Sequence, residues 1–172
     1  MKSITKSTKL NDVCYDVRGP VLDAANEMER SGERILKLNI GNPAPFGFRA
    51  PEAVLRAVHD GLEHSQGYCD SKGIMEAREA VADYCRSKKG IAGVTPEDIY
   101  TGNGVSELIT MNMQALLDNG DEIPIPSPDY PLWTAAATLA GGTVVHYICD
   151  ESADWMPDLS DIRRKLTPRT KA

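Results

Sequence analysis

At 172 residues, 41% hydrophobic and 26% charged, the chain can build one domain with a real core and has an ordinary globular composition. Its net charge of -6 argues against a nucleic-acid or anionic-membrane surface, because both reward a basic patch. The four cysteines, Cys14, Cys69, Cys85 and Cys149, make no C-x-x-C pair and no zinc spacing; with a polar start and no long apolar run, reduced thiols and a cytoplasmic location are expected.

Residues 1–19 read as a polar arm that runs into Arg18-Gly19-Pro20. Pro20 suits a first helical position, and a helix is expected over Val21 to Arg30 with Gly32 as its stop. Arg34 to Ile40 alternates apolar and polar residues and predicts a strand. The following GNPAPFGF, with Gly41, Pro43, Pro45 and Gly47, excludes regular structure. Pro51 opens a second helix with Val54, Leu55 and Val58 on one face, and a loop carries Tyr68 and Gly73. Ile74, Arg78, Val81 and Cys85 recur at helical spacing up to Gly90. Thr95 to Asp98 starts a single helical turn, and Ile99 to Thr101 predicts a short strand.

The best-marked helix has the stripe Val105, Leu108, Ile109, Met113, Leu116 and Leu117, which makes the Met111 and Met113 region core rather than a binding surface. Glu122 to Pro126 and Thr143 to Ile148 predict strands, Leu132 to Ala140 and Asp158 to Leu166 helices. From residue 98 the order strand, helix, strand, helix, strand, helix implies an α/β fold with a parallel sheet flanked by helices. Ligands in such sheets sit where strand ends enter helices, which selects the loops TGNGVSE and PSPDYP.

In Thr101 to Glu107, Gly102 and Gly104 permit a sharp turn, the helix start offers N–H donors, and Ser106 adds a hydroxyl. That set suits a phosphate dianion. No Gly-Lys-Ser/Thr follows, so it is not a Walker loop, and Glu107 stands where a dinucleotide fingerprint has its third glycine. Taken alone, the turn also fits a plain strand-to-helix connection with a polar cap.

The ordered segments CYDVRGP, LNIGNPAPFGF, QGYCDSKG, YTGNGVSEL and PSPDYPLW resemble the class I, fold-type I aminotransferases, with the bacterial alanine (glutamate–pyruvate) enzymes most similar, over essentially the whole chain. The resemblance implies residues 1–50 as N-terminal arm and start of the small-domain and active-site-mouth segment, and 51–172 as an incomplete large domain that binds pyridoxal 5'-phosphate. It implies that Gly104, Val105 and Ser106 hold the cofactor phosphate, that Tyr130 lies on the pyridine ring, and that Tyr68 reaches the phosphate of a neighbouring subunit in a homodimer. Gly41 would leave room for the amino-acid substrate and contact its carboxylate, and Arg18 would pack near the active-site mouth or the partner subunit. Singly, Tyr130 also fits a partly buried core tyrosine, Tyr68 a surface aromatic, Gly41 a turn and Arg18 a surface ion pair.

The implied reaction moves an amino group between L-alanine and 2-oxoglutarate; another amino acid, aromatic or branched, is the close alternative. The resemblance places the Schiff-base lysine and the N-P-x-N-P-T-G segment later than Ala172, so a truncated, inactive piece is expected, with exposed sheet edges. Lys72 and Lys165 match no such lysine. A non-catalytic phosphate-binding or dimerising module and an unrelated α/β phosphate-binding protein are the other classes. No metal site is expected: His59 and His64 miss the i, i+4 spacing, His146 reads as structural, and Asp150, Glu151 and Asp154 as a solvated loop. One departure from the family is Pro124, where relatives carry an aliphatic residue; a lost ladder hydrogen bond puts that strand's regularity in question.

Overall fold

The structure is a computed structural model that describes residues 4–13, 19–38 and 41–172. It divides into two compact units, Pro20–Thr101 and Met1–Gly19 with Gly102–Ala172.

The Pro20–Thr101 unit is helical. Helices α1 (Gly19–Arg30), α2 (Glu52–Gly61) and α3 (Met75–Lys89) lie where periodicity puts them, and a 3-10 turn at Pro96–Asp98 matches the expected single turn. Neither α1 nor α2 buries a residue, and the Val54, Leu55 and Val58 stripe of α2 stays exposed. The buried side chains of α3 are Arg78 and Ala82, so hydrogen bonding to a buried cation takes over part of the work of an apolar core. The segment expected to exclude regular structure contains one short 3-10 turn, Ala44–Phe46.

Two expected strands are corrected. Residues 34–38 are irregular, with 39–40 outside the described residues, and Ile99–Thr101 is irregular as well. A strand exists only through a ladder partner, and among the described residues neither segment has one. The Thr101 N–H instead donates to the Lys72 carbonyl at 2.8 Å.

The second unit is α/β. It runs α4 (Val105–Leu116), β1 (Glu122–Ser127), α5 (Leu132–Leu139), β2 (Thr143–Asp150), β3 (Met156–Pro157) and α6 (Leu159–Lys165). β1 and β2 pair in parallel with Glu122 opposite Thr143, α5 forming the crossover, as the alternation requires. β3 returns antiparallel to β2 in a short hairpin that uses the acidic Asp150–Asp154 segment as its turn, an element the sequence reading lacks. The core joins Ile109, Met113 and Leu117 to Ile123 and Ile125 of β1 and to Ala136 and Ala137 of α5. Burying each large aliphatic side chain there contributes about 1.5–3 kcal/mol.

Pro124 leaves β1 regular, and its register partner is Val145. The reason is direction. The Asp121 carbonyl accepts from Thr143 on the β2 side, whereas Glu122 exchanges hydrogen bonds with Arg169 and Lys171 on the opposite side. Backbone polar groups alternate sides along a strand, so Pro124 and Pro126 direct their missing donors away from β2.

Two carboxylates staple this unit. Asp161, fully buried, accepts from Lys165 at 2.8 Å, from the Ile148 N–H at 3.0 Å and from Arg164. Glu122 accepts from the Thr167 hydroxyl at 2.6 Å and from Arg169. Lys165, with help from the Ile148 amide and Arg164, holds Asp161 below the usual carboxylate range, and Thr167 and then Arg169 do so for Glu122. Depressed carboxyls add stability that is complete above their unfolded values and lost as pH falls through the folded ones. The thermal midpoint should therefore hold near neutrality and drop below about pH 4. Asp161→Asn should lower it at neutral pH and flatten the acid slope; a variant with the parental slope would remove Asp161 from this role.

Candidate functional site

The chain enters α4 through a tight turn in which the Gly104 N–H donates to the Gly102 carbonyl at 2.9 Å. Gly104 is the N-cap, at φ 87 and ψ 166, a region essentially reserved for glycine. Among the described residues no side chain caps the helix, and its first backbone hydrogen bond runs from Leu108 N to Gly104 O at 3.4 Å. Among the described residues, the N–H groups of Val105, Ser106 and Glu107 therefore find no acceptor, and all three residues are exposed. The Ser106 carbonyl accepts from the Thr110 hydroxyl at 2.9 Å, and among the described residues the Ser106 hydroxyl has no partner. Glu107 turns its carboxylate back to accept the Asn103 N–H, which fixes the entry to the helix. Three backbone donors and a hydroxyl thus converge on the positive end of a 12-residue helix.

The Tyr130 loop belongs to the same unit. β1 ends at Ser127, and the chain passes a cis Ser127–Pro128 peptide before entering α5 at Pro131. Asp129 accepts from the Thr134 hydroxyl at 2.8 Å and the Tyr130 carbonyl from the Trp133 N–H at 3.1 Å, so first-turn donors of α5 hold the loop. The Tyr130 side chain is about half exposed, and α5 packs against α4. The helices that carry the Gly102–Glu107 turn and the aromatic loop are thus neighbours. A phosphate ester fits the donor set, and a half-exposed ring fits a flat heteroaromatic partner.

In the other unit Tyr68 is fully exposed on the loop before α3. Asp70 to Gly73 closes a turn, with the Gly73 N–H on the Asp70 carbonyl at 2.9 Å and the Lys72 N–H on the Asp70 carboxylate at 2.8 Å. The Lys72 ammonium donates to the Glu97 carbonyl at 2.8 Å and to its carboxylate at 3.0 Å, and lies 5.0 Å from the Tyr100 ring centroid. Glu97 raises its pKa above the ordinary lysine value, so Lys72 stays a structural cation rather than a nucleophilic amine. Lys165 is likewise engaged, by the His146 carbonyl and Asp161, and His146 itself approaches the Pro126 carbonyl at 3.3 Å. Gly41 is exposed in irregular backbone, and a Cβ there would meet nothing within 4 Å. Arg18 lies outside the described residues.

Sequence reasoning passed over Arg78. Its side chain is 4% exposed, and its Nε donates to the Gly73 carbonyl at 3.1 Å and a terminal nitrogen to the Pro96 carbonyl at 3.2 Å. The available signal was an arginine inside an otherwise apolar helical stripe, since arginine is rarely buried unless its donors are satisfied.

The sequence profile described as "Aminotransferase class I and II" matches residues 33–172. Glutamate-pyruvate aminotransferase AlaA of Escherichia coli is 60% identical over 171 residues, 99% of this chain and 42% of the relative. Alanine aminotransferase of Mycobacterium tuberculosis is 56% identical over 171 residues, 99% of this chain and 40% of the relative. The crystal structure of an aminotransferase from Escherichia coli superimposes with a TM-score of 0.89 at 60% identity, over 98% of this chain and 42% of that one. The chain spans 40–42% of the length of these relatives. With this profile matched over residues 33–172 and the α/β fold shared with these enzymes, the chain belongs to the class I and II aminotransferase family.

Proposed function

We propose that this chain supplies the cofactor-phosphate side of a pyridoxal 5'-phosphate-dependent transaminase that, as a longer protein, moves an amino group between L-alanine and 2-oxoglutarate. The uncapped, exposed amide end of α4 carries this reading, in a chain 60% identical to a protein named glutamate-pyruvate aminotransferase. Bound pyridoxal phosphate supplies an electron sink for bond cleavage at the amino-acid Cα. This chain's residues bind and orient. The N–H groups of Val105 and Ser106 and the Ser106 hydroxyl hold the phosphate, with Gly104 setting the turn that aims them. Tyr130 fixes the ring plane. Tyr68 serves the phosphate of a neighbouring subunit in a homodimer. Gly41 admits the substrate amino acid or 2-oxo acid and offers its carboxylate an N–H, and Arg18 packs near the active-site mouth or the partner subunit. Residues 1–50 then act as arm and mouth segment, and 51–172 as part of the cofactor-binding domain.

The direct test joins residues 1–172 to the remaining length of the Escherichia coli relative. The purified chimera should take up pyridoxal phosphate with the yellow absorbance of a protein-bound cofactor and make pyruvate from alanine and 2-oxoglutarate. A folded chimera without that absorbance overturns the cofactor reading. Uptake followed by transfer from aromatic or branched amino acids, but not alanine, overturns the substrate assignment.

A further inference from the structure

The two elements assigned to the cofactor phosphate leave one hydrogen-bonded knot in the Pro20–Thr101 unit. Tyr68 stands two residues before Asp70, where the turn closed by Gly73 begins, and Gly102 follows Thr101. Thr101 is tied to that turn twice: its N–H donates to the Lys72 carbonyl at 2.8 Å and its hydroxyl to the same oxygen at 3.2 Å. Gly73 makes this approach possible, since a Cβ there would fall 2.0 Å from the Thr101 hydroxyl oxygen. Arg78 lies under the knot. It donates to the Gly73 and Pro96 carbonyls, with Asp70 and Glu97 carboxylate oxygens at 3.9 and 3.6 Å. Glu97 in turn takes the Lys72 ammonium.

We propose that Arg78 is a positioning residue for the cofactor site, its buried guanidinium fixing the backbone from which both Tyr68 and the phosphate turn depart. This rests on the pyridoxal phosphate reading above. An apolar side chain of similar volume could fill the same space, often at little cost in stability. It could not aim two backbone carbonyls from separate segments, which a planar fork of N–H donors does. With the Gly73 and Pro96 carbonyls held, the Lys72 carbonyl, one residue before Gly73, keeps its aim at Thr101. Tyr68 is fully exposed, so its position is inherited from the backbone from Asp70 onward.

The test uses the chimera with R78K, Asp70→Ala and Y68F, alone and with R78K combined with Y68F. Three quantities are read: hydrogen exchange of the Thr101 amide in the cofactor-free protein, the rate at which pyridoxal phosphate leaves the loaded protein, and the thermal midpoint. R78K keeps the charge and loses the fork; Thr101 exchange and cofactor loss should each rise about tenfold, the equivalent of one hydrogen bond to a charged group. Its effect on cofactor loss should shrink in the Y68F background, because part of it acts through Tyr68. Asp70→Ala, an exposed substitution that retains folding if R78K does not, should move both rates in the same direction by less. A lowered midpoint with parental cofactor loss in both variants assigns Arg78 to folding alone and overturns the proposal. If the parent chimera takes up no cofactor, the pyridoxal phosphate reading fails first and this inference falls with it.

Discussion

Gly73→Ala is expected to lower unfolding stability by about 2–6 kcal/mol, combining a left-handed backbone penalty with an overpacking penalty of similar size. Gly73 is buried at φ +104, and the new Cβ would lie 2.0 Å from the Thr101 hydroxyl oxygen and 2.9 Å from its methyl carbon. Neither atom is the far end of a flexible side chain. Thr101 is β-branched and held to the Lys72 carbonyl, so relief requires breaking the knot. Urea unfolding measures the loss. Removing the obstructing side chain in Gly73→Ala with Thr101→Ala should recover the steric part and leave the backbone part. A single variant as stable as the parent would show that the approach of Thr101 to this turn is not as close as the structure has it.

Gly104→Ala is expected to act through the backbone alone. A Cβ there meets nothing within 4 Å, yet φ is +87, so the alanine variant should lose about 1–3 kcal/mol or rotate out of this conformation. Rotation re-aims the N–H groups that follow. In the chimera, pyridoxal phosphate affinity should fall by about tenfold or more. The pair of measurements discriminates: lost stability with full affinity would mean that the turn matters to folding and not to the phosphate.

How legible these features were in the sequence follows from whether their cause is local. Helices α3 and α4 could be read because a stripe of side chains such as Ile109 and Met113 and a terminator such as Gly90 act within one element. Of the strands expected at 34–40 and 99–101, the described residues 34–38 and 99–101 are irregular, because alternation licenses a strand but only a partner makes one. The β2–β3 hairpin was missed because its turn, Asp150 to Asp154, is composed like a solvated loop. Pro124 misled in the opposite direction: its cost depends on which side of β1 its nitrogen faces, and spacing does not reveal that without the position of β2. At the site, the Gly102-to-Glu107 turn and Tyr130 were visible as loop chemistry after a strand signal. The Arg78 knot was not, because it links residues 70–73, 96–97 and 101, which are neighbours only after folding.

The claim that the open amide end of α4 holds a cofactor phosphate meets its most direct test at Ser106. Pyridoxal phosphate is titrated into the cofactor-free chimera and its Ser106→Ala variant, with thermal midpoints taken on the same samples. Loss of one hydrogen bond to the charged phosphate should weaken binding by about 1.5–3 kcal/mol while the midpoint stays at the parental value, because the Ser106 hydroxyl has no partner among the described residues. Equal affinity for parent and variant would contradict the assignment of this helix end to the cofactor.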